Sequence, residues 1–395
     1  MSYLYQKLFI CIVAATLCLQ PDLVRAGPGD ADGALPNYAR YGADVWARNP
    51  LARISGDGNA CISCHTSLPY ALVEPLLPDS YSAYDNMIEN IDNRILTWND
   101  NLAWYSDTRL EQMSAFSKQP PDTLKGFLDG PDSRGVEAVF NALISGMQDA
   151  YGGHPASRET ELAFENMWAE QIDSGPEAGR WGWIMANLVP WEVADSDIWG
   201  ASLACVAASQ FPDLAPPENL ELLDTSLRRA AEDTEVSLHA KAGVLWCDAE
   251  TDGRVLDSET ADSLISELLP LQQENGGWGL RDLGPWTGWE GSESDCCAAR
   301  EVRSDAYATG FVTLVLARNV HRVPANQQER LKQSLTWINR RLEDPYPTGP
   351  RYNKHNSSDR EIPEFRDSLY TNAGFMWAYL AKHIIESGKA PWESQ

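Results

Sequence analysis

One helix-opening pattern recurs along this chain of 395 residues, and few folds accommodate such a recurrence. Ser304, Asp305, Ala306, Tyr307, Ala308, Thr309, Gly310 and Phe311 lead into an apolar run through Leu314 and Leu316. Ser196, Asp197, Ile198, Trp199, Gly200, Ala201, Ser202 and Leu203 repeat it, as do Asp367, Ser368, Leu369 and Tyr370 ahead of Ala373, Phe375, Trp377 and Leu380. Weaker copies open at Ser133, before Val136, Ala138, Val139 and Phe140, and at Ser237, before Leu238, Ala240, Ala242, Val244 and Leu245. A Ser or Asp at such a start can accept hydrogen bonds from the first-turn N–H groups. The residues that follow are small and apolar on all sides, which predicts helices buried all round. Between the copies, residues 160–171, 218–231, 259–273 and 325–342 carry apolar residues on one face only and predict half-exposed outer helices. Inner and outer helices in alternation make an all-α solenoid or, where the two ends meet, an α/α barrel.

Ahead of these copies stand Cys61, Ile62, Ser63, Cys64 and His65, the spacing CxxCH. Two thiols on one turn can each add to a vinyl group of haem, and the imidazole that follows reaches the iron as its proximal ligand. The motif therefore predicts one covalent haem c held by Cys61, Cys64 and His65, with His65 as the metal ligand. A zinc site would want a second ligand pair at similar spacing, and the other close cysteines, Cys296 and Cys297, are adjacent. Ser67, Leu68, Pro69, Tyr70 and Ala71 align with Ser304 to Ala308, and Leu72, Val73, Leu76 and Leu77 continue the apolar run. Inner helices then begin near 67, 133, 196, 237, 304 and 367. Six pairs are the number for a closed (α/α)6 toroid, with the haem site leading into its first inner helix and the haem at one mouth of the ring. The sixth iron position is left to His355, in the segment 349–365 that leads into the last inner helix, to Met113, or to an open or water-bound iron. His239, in the first turn of an inner helix, either faces the cavity or packs in the core.

The chain starts with Lys7, an uncharged apolar run from Leu8 to Leu19, and Val24, Arg25 and Ala26, which predicts a signal peptide over residues 1–26 cleaved near Ala26. An N-terminal extension over 27–60 and a haem-bearing toroid over 61–395 follow. The apolar run is too short to span a bilayer, and no later segment qualifies. A periplasmic or secreted protein without a membrane span is expected. The net charge of −26 argues against nucleic acid and anionic lipid and suits a basic redox partner. In an oxidising compartment Cys205, Cys247, Cys296 and Cys297 are candidates for disulfides, with the pairing open.

Gln272, Gly276 and Trp278, within 271–279, match the QxxxGxW element of the squalene-hopene cyclase and prenyltransferase repeat superfamily, which the chain resembles over roughly residues 60–390. A looser copy is Gln171 with Gly179 and Trp181; a third, from Trp337 to Tyr352, lacks both Gln and Trp. The resemblance implies an α/α toroid with a central cavity. In physical terms, the Gln amide can bond freed backbone groups at a helix end while the Trp ring covers the neighbouring helix. The cyclase chemistry that the resemblance implies needs a DxDD acid, and this chain offers Asp195, Ser196 and Asp197, which read as a helix cap. The prenyltransferase zinc site fares no better, since Asp295 and Cys297 lack a matching His. The expectation is a periplasmic c-type haem protein for electron transfer or haem-dependent redox chemistry, its toroid a scaffold or a chamber for an apolar small molecule. The alternatives are a haem-stapled module docking a periplasmic partner and, remotely, a terpenoid cyclase or prenyltransferase-like enzyme. Trp181, Trp183, Trp191, Trp278, Trp286 and Trp289 read as core and clasp rings or as a stacking surface, and Glu192 and Glu290 are the carboxylates to test for cavity chemistry.

Overall fold

A computed structural model of the chain describes residues 39, 40, 43, 47, 61–64, 66–77, 81–111, 130–185, 189–286, 304–342 and 369–393. Regular structure among these residues is helical; Gln171 and Trp181 pair in an isolated bridge. The principal helices are α1 (Ser67–Val73), α2 (Ser82–Leu96), α3 (Gly130–Gly152), α4 (Arg158–Ala169), α5 (Ser196–Gln210), α6 (Pro217–Glu232), α7 (Leu238–Glu250), α8 (Ser258–Leu268), α9 (Ala306–Arg318), α10 (Glu329–Leu342) and α11 (Leu369–Ser387). The protein is all-α over the described residues, as the periodicity predicts.

Odd-numbered helices are the apolar ones and even-numbered helices the amphipathic ones. α1 packs on α3, α3 on α5, α5 on α7, α7 on α9, α9 on α11, and α11 returns to α1. Outside them, α4 lies against α3, α6 against α5 and α7, α8 against α7, and α10 against α9 and α11. The tightest inner pair is α9 with α11, and two glycines explain it. A Cβ on Gly310 would stand 1.9 Å from the Gly374 carbonyl oxygen, and one on Gly374 would stand 2.1 Å from that of Ala306. Only residues without a side chain let the two backbones come so close.

Helix ends follow from local chemistry. Ser237 and Asp305 cap α7 and α9 as the repeat predicts, accepting from Ala240 N and Ala308 N at 3.2 and 2.8 Å. α3 begins at Gly130, three residues before the expected Ser133, because Pro131 fits a first turn whose N–H groups need no helical partner. α8 stops at Leu268, short of the expected 273, since Pro270 cannot continue the ladder and a 3-10 turn over Leu269–Leu271 replaces it. α2 is a helix that the repeat did not announce. Its apolar stripe of Met87, Ile88, Ile91 and Ile95 is thin among polar residues.

Large rings fill the middle of the inner layer. Trp199 of α5, His239 and Trp246 of α7, Phe311 of α9 and Trp377 of α11 are all essentially without exposed surface. His239 lies 6.1 Å from Trp199 and 5.1 Å from Phe311, while Trp246 and Trp377 meet at 5.8 Å and Phe311 reaches both at 6.5 Å. Four inner helices thus meet through aromatic contacts across the space they surround. Such rings bury large apolar areas and fix neighbour geometry through edge and face preferences. These rings occupy this part of the layer.

Toward the C-terminal ends of the inner helices a second layer of contacts ties α5, α7 and α9 together. Cys205 of α5 and Cys247 of α7 form a disulfide. Glu250, at the end of α7, binds Arg318 of α9 through 2.7 and 3.0 Å bonds and accepts from the indoles of Trp246 and Trp392, both at 2.9 Å. Arg318 also reaches Glu393 at 2.6 Å. Every lone pair of this buried carboxylate therefore has a use, which is the condition under which a buried ion pair is tolerated.

Candidate functional site

The N-terminal ends of the inner helices are built differently. Clasp elements hold the rim. Gln272 Nε2 donates to the carbonyls of Gly276 and, in α10, Arg330 at 2.8 and 2.9 Å, and Trp278 Nε1 donates to Leu268 O at 2.9 Å. The second copy repeats this bond for bond: Gln171 Nε2 donates to Gly179 O and to Asn219 O of α6 at 3.3 and 3.1 Å, and Trp181 Nε1 to Met167 O at 2.6 Å. Gly179 and Gly276 have φ of +90° and +94°, a region that a Cβ penalises. The clasp tethers the end of one outer helix to the start of the next and satisfies carbonyls that a helix end leaves free. The third copy lies largely outside the described residues.

Within that rim, Cys61 and Cys64 stand on the turn immediately before α1. Both are thiols. Ser63 pins the turn to the helix: its carbonyl accepts from Leu68 N at 3.0 Å and its hydroxyl from Ser67 N at 3.1 Å, with a further contact to the Thr66 hydroxyl. Burial pushes the Cys61 thiol up to about 12 and the Cys64 thiol well above its ordinary value, so neither is a thiolate at neutral pH. That argues against a nucleophilic cysteine, which needs an electropositive setting. It leaves two neutral thiols on one turn, the donor set that thioether formation with a haem requires. His65 lies outside the described residues. So do Met113, His355, Glu290, Trp289, Cys296, Cys297 and residues 1–26.

Around the two thiols the structure gathers Tyr105, Glu192 and Tyr307. Cys64 feels Glu192, Tyr105 feels Cys61, Cys64 and Glu192, and Tyr307 feels Cys64. Glu192, Cys61 and Tyr105 are largely desolvated, yet each keeps part of its surface open. Burial alone lifts the Glu192 carboxyl to about 8, and it is uncharged at neutral pH. Sequence reasoning singled out Glu192 for following Pro190 and Trp191; Tyr105 carried no signal, because its place beside the motif arises only when the chain folds back from α2.

The remaining candidates resolve into core. Trp183 donates to Trp191 O at 2.9 Å, Trp286 to Leu280 O at 3.0 Å, and Trp191 to the Tyr307 hydroxyl at 3.0 Å. The Asp195–Ser196–Asp197 run is engaged throughout, though not as the simple side-chain cap that was expected. Asp195 Oδ2 accepts from Ser237 N at 2.7 Å, tying the start of α5 to that of α7, and Asp197 pairs with Arg180 at 2.9 Å. Neither is placed as a spare acid. His239 is buried and held near pKa 3 by desolvation. His154 and His321 are exposed and His383 is half-buried on α11. Among the described residues no group of three or more His, Cys, Asp or Glu side chains converges to hold a metal ion, and no helix is long and apolar enough to cross a membrane.

No protein-family model and no curated protein matches the chain.

Proposed function

We propose that this chain is a c-type haem protein, with a single haem joined to Cys61 and Cys64 and ligated by His65, at the N-terminal mouth of an (α/α)6 toroid. The observation that carries the reading is the pair of thiols on one pinned turn, with Glu192 and Tyr105 in their electrostatic neighbourhood; a haem there would occupy a recess between them. Haem bound there would supply one-electron exchange at its iron. The chain's own residues would do the rest. Ser63 and Thr66 fix the turn that presents both sulfurs. Tyr105 and Glu192 bound the recess, and at neutral pH Glu192 offers it a proton rather than a charge. Clasps and the aromatic core keep the mouth rigid, which lowers the reorganisation that electron transfer must overcome.

The filled centre favours electron transfer, or oxidation of a small molecule at the recess, over a chamber that encloses a long apolar substrate. It also leaves little support for terpenoid cyclisation, for which the engaged Asp195 and Asp197 supply no acid. The disulfide and the N-terminal pattern support a periplasmic or secreted setting. A charge of −26 supports a basic redox partner.

The decisive experiment is a pyridine haemochrome spectrum of protein made in cells that mature cytochromes c. Covalent haem is expected in the unaltered chain and none in Cys61→Ser/Cys64→Ser. Covalent haem retained in the double variant overturns the reading. Carbon monoxide binding to the reduced protein then separates an open iron from a six-coordinate carrier.

A further inference from the structure

The chain folds back on itself after α11. Gly388 takes a left-handed φ of +74° and donates to Ile384 O at 2.8 Å, which ends the helix and reverses the chain. A second turn follows, with Glu393 N donating to Ala390 O at 3.1 Å, and it carries Trp392 and Glu393. α11 itself packs on α9, α10 and α1. Its tail reaches further. The Trp392 ring meets Tyr151 of α3 edge to face, 6.1 Å between ring centres, and its indole donates to Glu250 Oε2 of α7 at 2.9 Å. Glu393 accepts from Arg318 Nη1 of α9 at 2.6 Å. Trp392 is only 4% exposed. Residues 388–393 thus lie across the C-terminal ends of three inner helices, with an indole seated among them.

The walls of this seat are held without the tail. Arg318 Nε and Nη2 bind the two Glu250 oxygens at 2.7 and 3.0 Å, and Trp246 Nε1 donates to Glu250 Oε1 at 2.9 Å. The Tyr151 hydroxyl donates to Leu72 O of α1, which fixes the third wall. Two bonding places are left for the tail: an acceptor lone pair on Glu250 Oε2 and a donor on Arg318 Nη1. They are opposite in kind, so together they select an N–H and an anion, which an indole followed by a carboxylate supplies. We propose that the C-terminal ends of α3, α7 and α9 form a peptide pocket for a tryptophan followed by an acidic residue, filled in the free protein by the chain's own tail as a removable plug. Both polar ties are made by side chains, and Ser387, Gly388 and Lys389 stand exposed at the hinge, so the tail can leave without opening a helix. Tethered, it meets the pocket at an effective concentration on the order of millimolar, and an outside peptide gains entry only when the plug is out. The pocket owes nothing to the haem reading above.

The test uses the full-length chain, produced as for the haemochrome spectrum, with a specific protease site inserted between Ser387 and Gly388 and cut after folding. Fluorescence anisotropy follows a labelled synthetic peptide of the sequence 388–395 on cut, dialysed protein and on uncut protein. Saturable binding to the cut protein is expected, weaker by at least about tenfold on the uncut protein, whose own tail competes. Trp392→Ala in the peptide should weaken binding about a hundredfold, the scale of a buried aromatic anchor. Glu393→Gln in the peptide should weaken it about tenfold, the scale of one hydrogen bond between charged groups. No binding to cut protein that has released its tail overturns the proposal. Equal binding to cut and uncut protein places the peptide elsewhere and overturns it, as does a Trp392→Ala peptide that binds like the unaltered one. Circular dichroism is recorded on the same samples: a cut chain that unfolds as its tail departs shows the tail to be core rather than plug, and overturns the proposal too. If the tail stays bound through dialysis, excess labelled peptide must displace it, and failure to exchange counts against the proposal in the same way.

Discussion

The two ends of the inner-helix layer bury comparable chemistry and treat it in opposite ways. At the C-terminal end, Glu250 is enclosed by Arg318, Trp246 and Trp392, and the Cys205–Cys247 disulfide lies nearby. At the N-terminal end, Glu192 is desolvated with no cation shifting its carboxyl among the described residues, beside the Cys61 and Cys64 thiols. Burial raises both carboxyls, but at Glu250 the Arg318 guanidinium and two indoles oppose that rise, whereas at Glu192 desolvation acts alone. Burying a charge is costly unless it is paired and hydrogen-bonded. The contrast teaches which end holds the fold together and which end spends stability on a site.

Breaking the far end should therefore hurt most. Arg318→Met leaves the Glu250 carboxylate buried without its cation and should cost about 3 to 5 kcal/mol in urea unfolding. Adding Glu250→Leu should recover most of that loss, because the cost lies in the uncompensated charge rather than in a missing attraction. If the double variant is no better than the single, the far end is not the balanced pair described here. Removing the disulfide with Cys205→Ala/Cys247→Ala releases a loop of 42 residues and should cost about 3 kcal/mol. Equal stability with and without a reductant would show that this bond does not brace α5 against α7.

The clasps at the near rim give a smaller and symmetrical test. Gln272→Ala and Gln171→Ala each remove an amide that donates to two carbonyls, and each should lower stability by about 1 to 2 kcal/mol. Similar losses in the two variants would show that the looser copy works as well as the clear one. A loss in Gln272→Ala alone would mean that only one clasp bears weight.

Inner-helix starts were legible because each copy announces itself with a Ser or Asp and then small apolar residues, so 67, 196, 237 and 304 fall within two residues of α1, α5, α7 and α9. The clasp was legible for a related reason: Gln, Gly and Trp at fixed spacing have one joint use at a helix end. The far-end network was not. Glu250, Arg318 and Glu393 come from separate repeats, and no local pattern distinguishes them from surface charges. Nor did the sequence reveal that large rings from four inner helices meet. A helix that is apolar all round must be buried, but burial against a cavity and burial against other rings read alike until Trp199, His239, Phe311 and Trp377 are seen to touch. For the same reason His239 could be assigned to cavity or core, and Tyr307 was visible only as a repeat position.

The finest test of the comparison is a pH series on Glu192. Its carboxyl titrates near 8 in the folded chain, well above the ordinary value of about 4.3 for an unfolded glutamate. Between those two values the folded state holds a proton that the unfolded state has released. Stability therefore falls as pH rises from about 4.3 toward 8 and then levels. Because Glu192 keeps part of its surface open to water, the loss should be about 1 to 2 kcal/mol, less than full desolvation would give. Glu192→Gln keeps the shape and removes the titration, so it should match the unaltered chain at pH 4.5 and exceed it by that amount at pH 9 in urea unfolding. Glu250→Gln should do the reverse and lose stability throughout that range, since it discharges a carboxylate that Arg318 needs. If the two substitutions act alike, the two ends are not built on opposite principles, and the N-terminal recess loses its claim to be the place where the fold was left open for chemistry.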